Sequence, residues 1–126
     1  MLTEGLKETA TVQVSAENTA LAMGSGDMPV FATPAMVALM ENAAMQAVAD
    51  KLPNGCTTVG GYMEASHLAP SPLGVCISAE ATLTEVKGRK LTFSIEARQE
   101  KKVIGKATHI RFIVDRKEFM EKMAKQ

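Results

Sequence analysis

The stretch TPAMVALMENAAMQAVADKL, Thr33 to Leu52, decides the fold. From Ala35 onward it is apolar almost all the way round a helix, interrupted mainly by Glu41, Asn42 and Gln46. A helix without a polar face must be surrounded by protein instead of lying on a surface. Thr33 suits the N-cap, where its hydroxyl can accept from a free first-turn amide, and Pro34 suits the first helical position, where a missing N–H costs nothing. Pro53-Asn54-Gly55 stops the helix.

Outward from this helix the period changes from 3.6 to 2. Before it, Lys7 to Val14 alternates Ala10, Val12 and Val14 against Thr9, Thr11 and Gln13, the pattern of a half-buried strand. A loop is expected from there to about Val30, and its Gly24-Ser25-Gly26-Asp27 stretch suits a plain connection or a lid. After the helix come four strand-like runs. Thr57 to Leu68 places Val59, Gly61, Met63, Ala65 and His67 on one side; Val75 to Val86 groups Val75, Ile77, Ala79, Ala81 and Leu83; Lys90 to Arg98 groups Leu91, Phe93, Ile95 and Ala97. Lys87-Gly88-Arg89 and Glu100-Lys101-Lys102 read as hairpin turns, and Pro70 to Gly74 as a longer connection. Val103 to Val114 is a less clearly sided strand, and Arg116 to Lys125 a short surface helix.

The order strand, buried helix, four antiparallel strands is satisfied by an α+β domain in which a curved sheet of about five strands wraps one long central helix. Such a sheet leaves part of the helix open, and a second copy would cover it, so a homodimer or larger assembly is expected. The 126 residues suit one domain, 1–126, and an apolar fraction of 46% supplies its core. Fourteen basic residues balance fourteen acidic ones, which gives no field for nucleic acid or an anionic membrane. The amino-terminal residues contain no continuous apolar run, so a cytoplasmic, soluble protein is expected. Cys56 and Cys76 are read as reduced thiols, and the lack of clustered Cys or His ligands implies neither a metal nor another cofactor.

Three side chains carry chemistry. Glu41 is a lone carboxylate among Val37, Met40, Ala44 and Met45, where it loses hydration with no Lys or Arg nearby in the helix. His67 shares its face with apolar residues and ends its strand just before a Pro-rich connection, at a sheet edge that substrate can reach. Thr33 adds a hydroxyl at a helix N-terminus, a suitable place for a developing oxyanion. A hydroxyl, a carboxylate and an imidazole are the parts of acyl transfer. His109, also in a strand, has no matching partner motif and receives no role.

Phe31-Ala-Thr-Pro-Ala-Met-Val-Ala-Leu-Met-Glu41, then Val59-Gly60, then His67-Leu-Ala-Pro-Ser-Pro-Leu-Gly74 resemble the hot-dog-fold acyl-CoA thioesterases, most of all the fluoroacetyl-CoA thioesterase branch. The likeness runs from about Lys7 to Val114. It implies that Thr33, Glu41 and His67 match the branch's catalytic threonine, glutamate and histidine, eight residues separating the first two and 34 separating Thr33 from His67. It also implies that the Gly60 amide helps hold the thioester and that Arg111 lies near the site. The branch's lid is built around phenylalanines, whereas Ala22 to Met28 here reads AMGSGDM. Reaction class therefore carries over, and fluoroacetate selectivity does not.

The expected activity is hydrolysis of a short-chain acyl-CoA, with coenzyme A thioester as substrate and no cofactor. A hot-dog hydratase or dehydratase and a non-catalytic acyl-CoA-binding module are the alternatives. At 1.5 Å rise per residue, Thr33 and Glu41 stand about 12 Å apart along one helix, which side chains span poorly. Either Glu41 acts through water or a neighbouring subunit completes the set.

Overall fold

The computed structural model describes residues 1–126. Strand β1 (Lys7–Gln13) leads through short helical turns to the central helix α2 (Thr33–Val48), followed by β2 (Cys56–His67), β3 (Cys76–Lys87), β4 (Lys90–Gln99), β5 (Lys102–Asp115) and α3 (Arg116–Ala124). The strands form one antiparallel sheet in the order β1-β3-β4-β5-β2, curled around α2. The expected helix and strands are all present.

The core forms where the two periods meet. Met36, Leu39, Met40, Ala43, Ala44, Ala47 and Val48 of α2 are buried against Ile77, Ala79, Ala81 and Leu83 of β3 and Leu91, Phe93, Ile95 and Ala97 of β4. The alanines on both sides let helix and sheet approach closely, while Phe93 and the branched residues fill the remaining volume. Opposite them, Ala38, Glu41, Asn42 and Met45 line an open cavity on the flank towards β2. The single five-stranded sheet thus leaves one flank of the helix open.

Four local readings need correction. Helix α2 ends at Val48 and passes into a 3-10 turn, Ala49–Lys51, before Pro53. The segment expected to be a loop contains a 3-10 turn, Ala16–Asn18, with a Ser15 capping box, and a helical turn α1 (Ala20–Met23) capped by Thr19 and closed by Gly24 at φ 76°. The N-cap of α2 is Ala32, which makes no side-chain cap, so Thr33 is already helical and its hydroxyl is free for another partner. Finally, a bulge between Gly60 and Tyr62 shifts the sidedness of β2. Residues Met63, Ala65 and His67 keep the face expected for them, but ahead of the bulge that face belongs to Thr58 and Gly60. A side chain on Gly61 would run into the Phe112 ring, and Val59 is the cross-strand partner of Phe112, on the opposite face. A period-2 reading has no means of seeing one inserted residue.

The blurred pattern of β5 has the same origin. Its register against β4 shifts between Ala97 and Arg98, so Ile104 and Gly105 are both buried before Ala107, His109 and Arg111 resume one face. Gly105 also sets the height of the helix. A Cβ there would strike the Met36 sulfur and lie 3.1 Å from the Ser66 carbonyl oxygen. Because Gly105 is the register partner of His67, this close approach lays the first turn of α2 against the end of β2.

Candidate active site

The consequence is a contact between Thr33 and His67. Thr33 Oγ1 lies 2.7 Å from His67 Nδ1. The hydroxyl that sequence reading gave to helix capping is spent here instead. The imidazole is held edge-to-face against Phe31, at 82° and 6.4 Å between ring centres. Phe31 itself is buried and ties its amide to the Ser71 carbonyl, while the Leu68 amide is anchored on Ile104. Burial pushes the His67 pKa below the usual histidine value of 6.5; the Ala69 backbone pulls the other way, although Nε2 itself makes no hydrogen bond. A neutral ring with its lone pair on Nδ1 accepts the Thr33 proton, which is the arrangement of a hydroxyl activated by an adjacent base. The pair opens into a cavity of about 320 Å³ whose other walls include Ala20, Ser25, Val30 and Leu68.

Glu41, Gly60 and Arg111 form a second group, on a cavity of about 400 Å³ along the open flank of α2. Glu41 is half-buried, not buried as expected, because its neighbours on that flank face the cavity. Gly60 allows the carboxylate its place: a Cβ there would sit 3.0 Å from Glu41 Oε2 and 3.7 Å from Arg111 Nη1. Arg111 is 7% exposed, and its guanidinium donates from Nε to Thr58 Oγ1 at 2.8 Å and from Nη2 to the Thr58 carbonyl at 2.9 Å. Burial lowers its pKa and Glu41 opposes the shift, yet a guanidinium keeps its proton in either case.

Sequence reading missed the partner of this arginine. His109, 1% exposed, lies with Nε2 3.2 Å from Arg111 Nη1 and Nδ1 2.7 Å from the Tyr62 carbonyl oxygen. The signal was available, since residues two apart on a strand share a face and Arg111 had already been placed near the site.

One chain does not bring the two groups together. His67 and Gly60 are seven residues apart on β2, roughly 23 Å at 3.3 Å per residue, and Thr33 and Glu41 are about two helical turns apart. Between the groups runs β2, an edge strand whose far side pairs with nothing in the chain.

A curled sheet around one long helix, with a hydroxyl–imidazole pair and a carboxylate beside its free edge, defines the hot-dog thioesterase class. A model of the fluoroacetyl-CoA-specific thioesterase family matches residues 14–117, and the chain belongs to that family. It is 35% identical over 94 residues to the fluoroacetyl-CoA thioesterase of Streptantibioticus cattleyicolor, covering 75% of this chain and 68% of that protein. The crystal structure of the fluoroacetyl-CoA thioesterase FlK superposes with a TM-score of 0.92 at 29% identity, over 100% of this chain and 98% of that one. A Thermus thermophilus thioesterase superfamily member gives 0.91 at 25% identity, over 99% and 93%. The chain is an acyl-CoA thioester hydrolase. The relatives lend no support to a hydratase or to a non-catalytic binding module.

Proposed function

We propose that the chain, as one domain of residues 1–126, hydrolyses short-chain acyl-CoA thioesters in the cytoplasm without a cofactor, at the seam of a homodimer. In this reading Thr33 and His67 of one subunit work with Glu41, Gly60 and Arg111 of the other. The observation that carries it is the 2.7 Å contact between Thr33 Oγ1 and His67 Nδ1, set against a carboxylate that the same chain holds too far away. Antiparallel pairing of two β2 edges moves the His67 end of one strand towards the Gly60 region of the other, and such an edge is otherwise open to unwanted pairing.

Chemistry follows from the two groups. The neutral His67 takes the Thr33 proton as Oγ1 attacks the thioester carbonyl carbon. The oxyanion is met by the Gly60 amide and the positive end of α2. The C–S bond then breaks, coenzyme A leaves with the proton from His67, and Thr33 holds the acyl group as an ester. Water, deprotonated by Glu41, releases the free acid and returns the proton to Thr33. Arg111 faces the acyl end beside Glu41. The segment Ala22 to Met28 offers no phenylalanine gate, so acetyl-CoA and propionyl-CoA are expected to serve as well as fluoroacetyl-CoA.

Rapid quench followed by mass spectrometry tests the covalent route. An acyl adduct on the Thr33 peptide is expected within the first turnover; an adduct on the Glu41 peptide, or none, would contradict it. The pH profile tests the base. Because burial lowers the His67 pKa, the neutral ring persists below pH 6.5, and kcat/KM should fall only as His67 takes up its proton at lower pH. An acid limb centred at or above 6.5 would remove His67 from that role.

A further inference from the structure

The buried histidine of β5 has both ring nitrogens assigned by its neighbours. Tyr62, the residue just after the β2 bulge, offers a carbonyl oxygen 2.7 Å from Nδ1, and a carbonyl can only accept. Arg111 Nη1 lies 3.2 Å from Nε2, and a guanidinium can only donate. His109 is therefore neutral, with its proton on Nδ1 and its lone pair aimed at the guanidinium. Two further bonds from Arg111 go to Thr58, so this cation is held by three bonds to two residues.

That grip has a direction. The gripped guanidinium keeps a spare Nη1 hydrogen, and Nη1 is near the space beside Gly60, where Glu41 Oε2 also lies. No Glu41–Arg111 ion pair closes to 4.0 Å, although opposite charges this close attract. An arginine free to swing would collapse onto the carboxylate and neutralise it. The bonds to His109 and Thr58, each satisfying a buried polar group, hold it back.

We propose that His109 is a positioning residue of the thioesterase: by accepting from Arg111 it keeps the guanidinium off Glu41, leaving the carboxylate free for water and the cation turned towards the acyl group. It touches neither substrate nor reacting atoms. The inference rests on the reading that Glu41, Gly60 and Arg111 form the acyl end of the site.

The test is thiol release from acetyl-CoA by five variants of the assembled protein. His109→Asn keeps a donor for Tyr62 and loses the acceptor for Arg111; its kcat is expected to fall about 30-fold with KM changed less. His109→Gln restores an acceptor at the reach of Nε2 and should recover activity to within about threefold of the natural protein. In an Arg111→Met background, His109→Asn should cost less than about twofold more, since it has nothing left to hold. Equal losses in both backgrounds, or no rescue by Gln, would make His109 a packing residue and overturn the proposal. The natural protein gives a second readout that no folding defect can spoil: its ¹⁵N spectrum should show His109 protonated at Nδ1 and bare at Nε2, and the opposite tautomer would refute the grip. Glu41→Gln separates the two failures. Full turnover in that variant sinks the reading of the acyl end, whereas additive losses beside an inactive Glu41→Gln sink only the role of His109.

Discussion

Replacing His67 with alanine is expected to lower kcat on acetyl-CoA by about 10³-fold while leaving the fold intact. The size follows from what the ring does. Without it, the Thr33 hydroxyl must lose its proton to water at its ordinary acidity, and the departing thiolate loses its acid. The ring is half-buried at the end of an edge strand and lies outside the core around Phe93 and Ile95, so its removal takes away the Thr33 bond and the Phe31 contact and leaves that core intact. Thr33→Ala should cost about as much, and the double variant no more than about threefold beyond either single, because the two groups perform one step together. Turnover measured by thiol release, with thermal unfolding as a control, decides the matter. Losses that multiply would mean that hydroxyl and imidazole act separately, and a His67→Ala enzyme at a tenth of normal activity would leave the ring a minor part.

Much of this was legible before any coordinates. The helix announced itself by lacking a polar face, and the alternation of Ile77 to Leu83 and Leu91 to Ala97 fixed two strands and their buried sides, because every inward position carried an apolar residue. Thr33, Glu41 and His67 stand out by residue type and by the spacing of the resembled family, and the fold sets Thr33 against His67. What escaped has a common cause, the geometry of single residues. The bulge at Gly61 exchanged the faces of β2 ahead of Tyr62, and the register shift near Ile104 blurred β5. Capping was assigned to the wrong residue because threonine is a good N-cap, yet here the buried Ala32 takes the position and leaves Thr33 to His67. Glu41 was expected to be buried since its helical neighbours are apolar; that argument omitted the one flank where the curled sheet fails to reach. His109 carries no motif; Tyr62 reaches it across the sheet from beside the β2 bulge, which spacing along one strand does not display, whereas Arg111, two residues further on in the same strand, is legible as its neighbour.

Active sites shared between subunits have a direct test in the mixing of two inactive variants. Thr33→Ala and Glu41→Gln homodimers should each be inactive, every site lacking one member. In a mixed dimer one seam collects both substitutions and the other collects neither, so one whole site returns. Random pairing makes about half of the dimers mixed, and each has one working site in two, so an equimolar mixture unfolded and refolded together should recover about a quarter of the natural activity per chain. A mixture that stays at the level of the two separate variants would show that Thr33 and Glu41 serve the same chain's site, and the shared seam would be wrong.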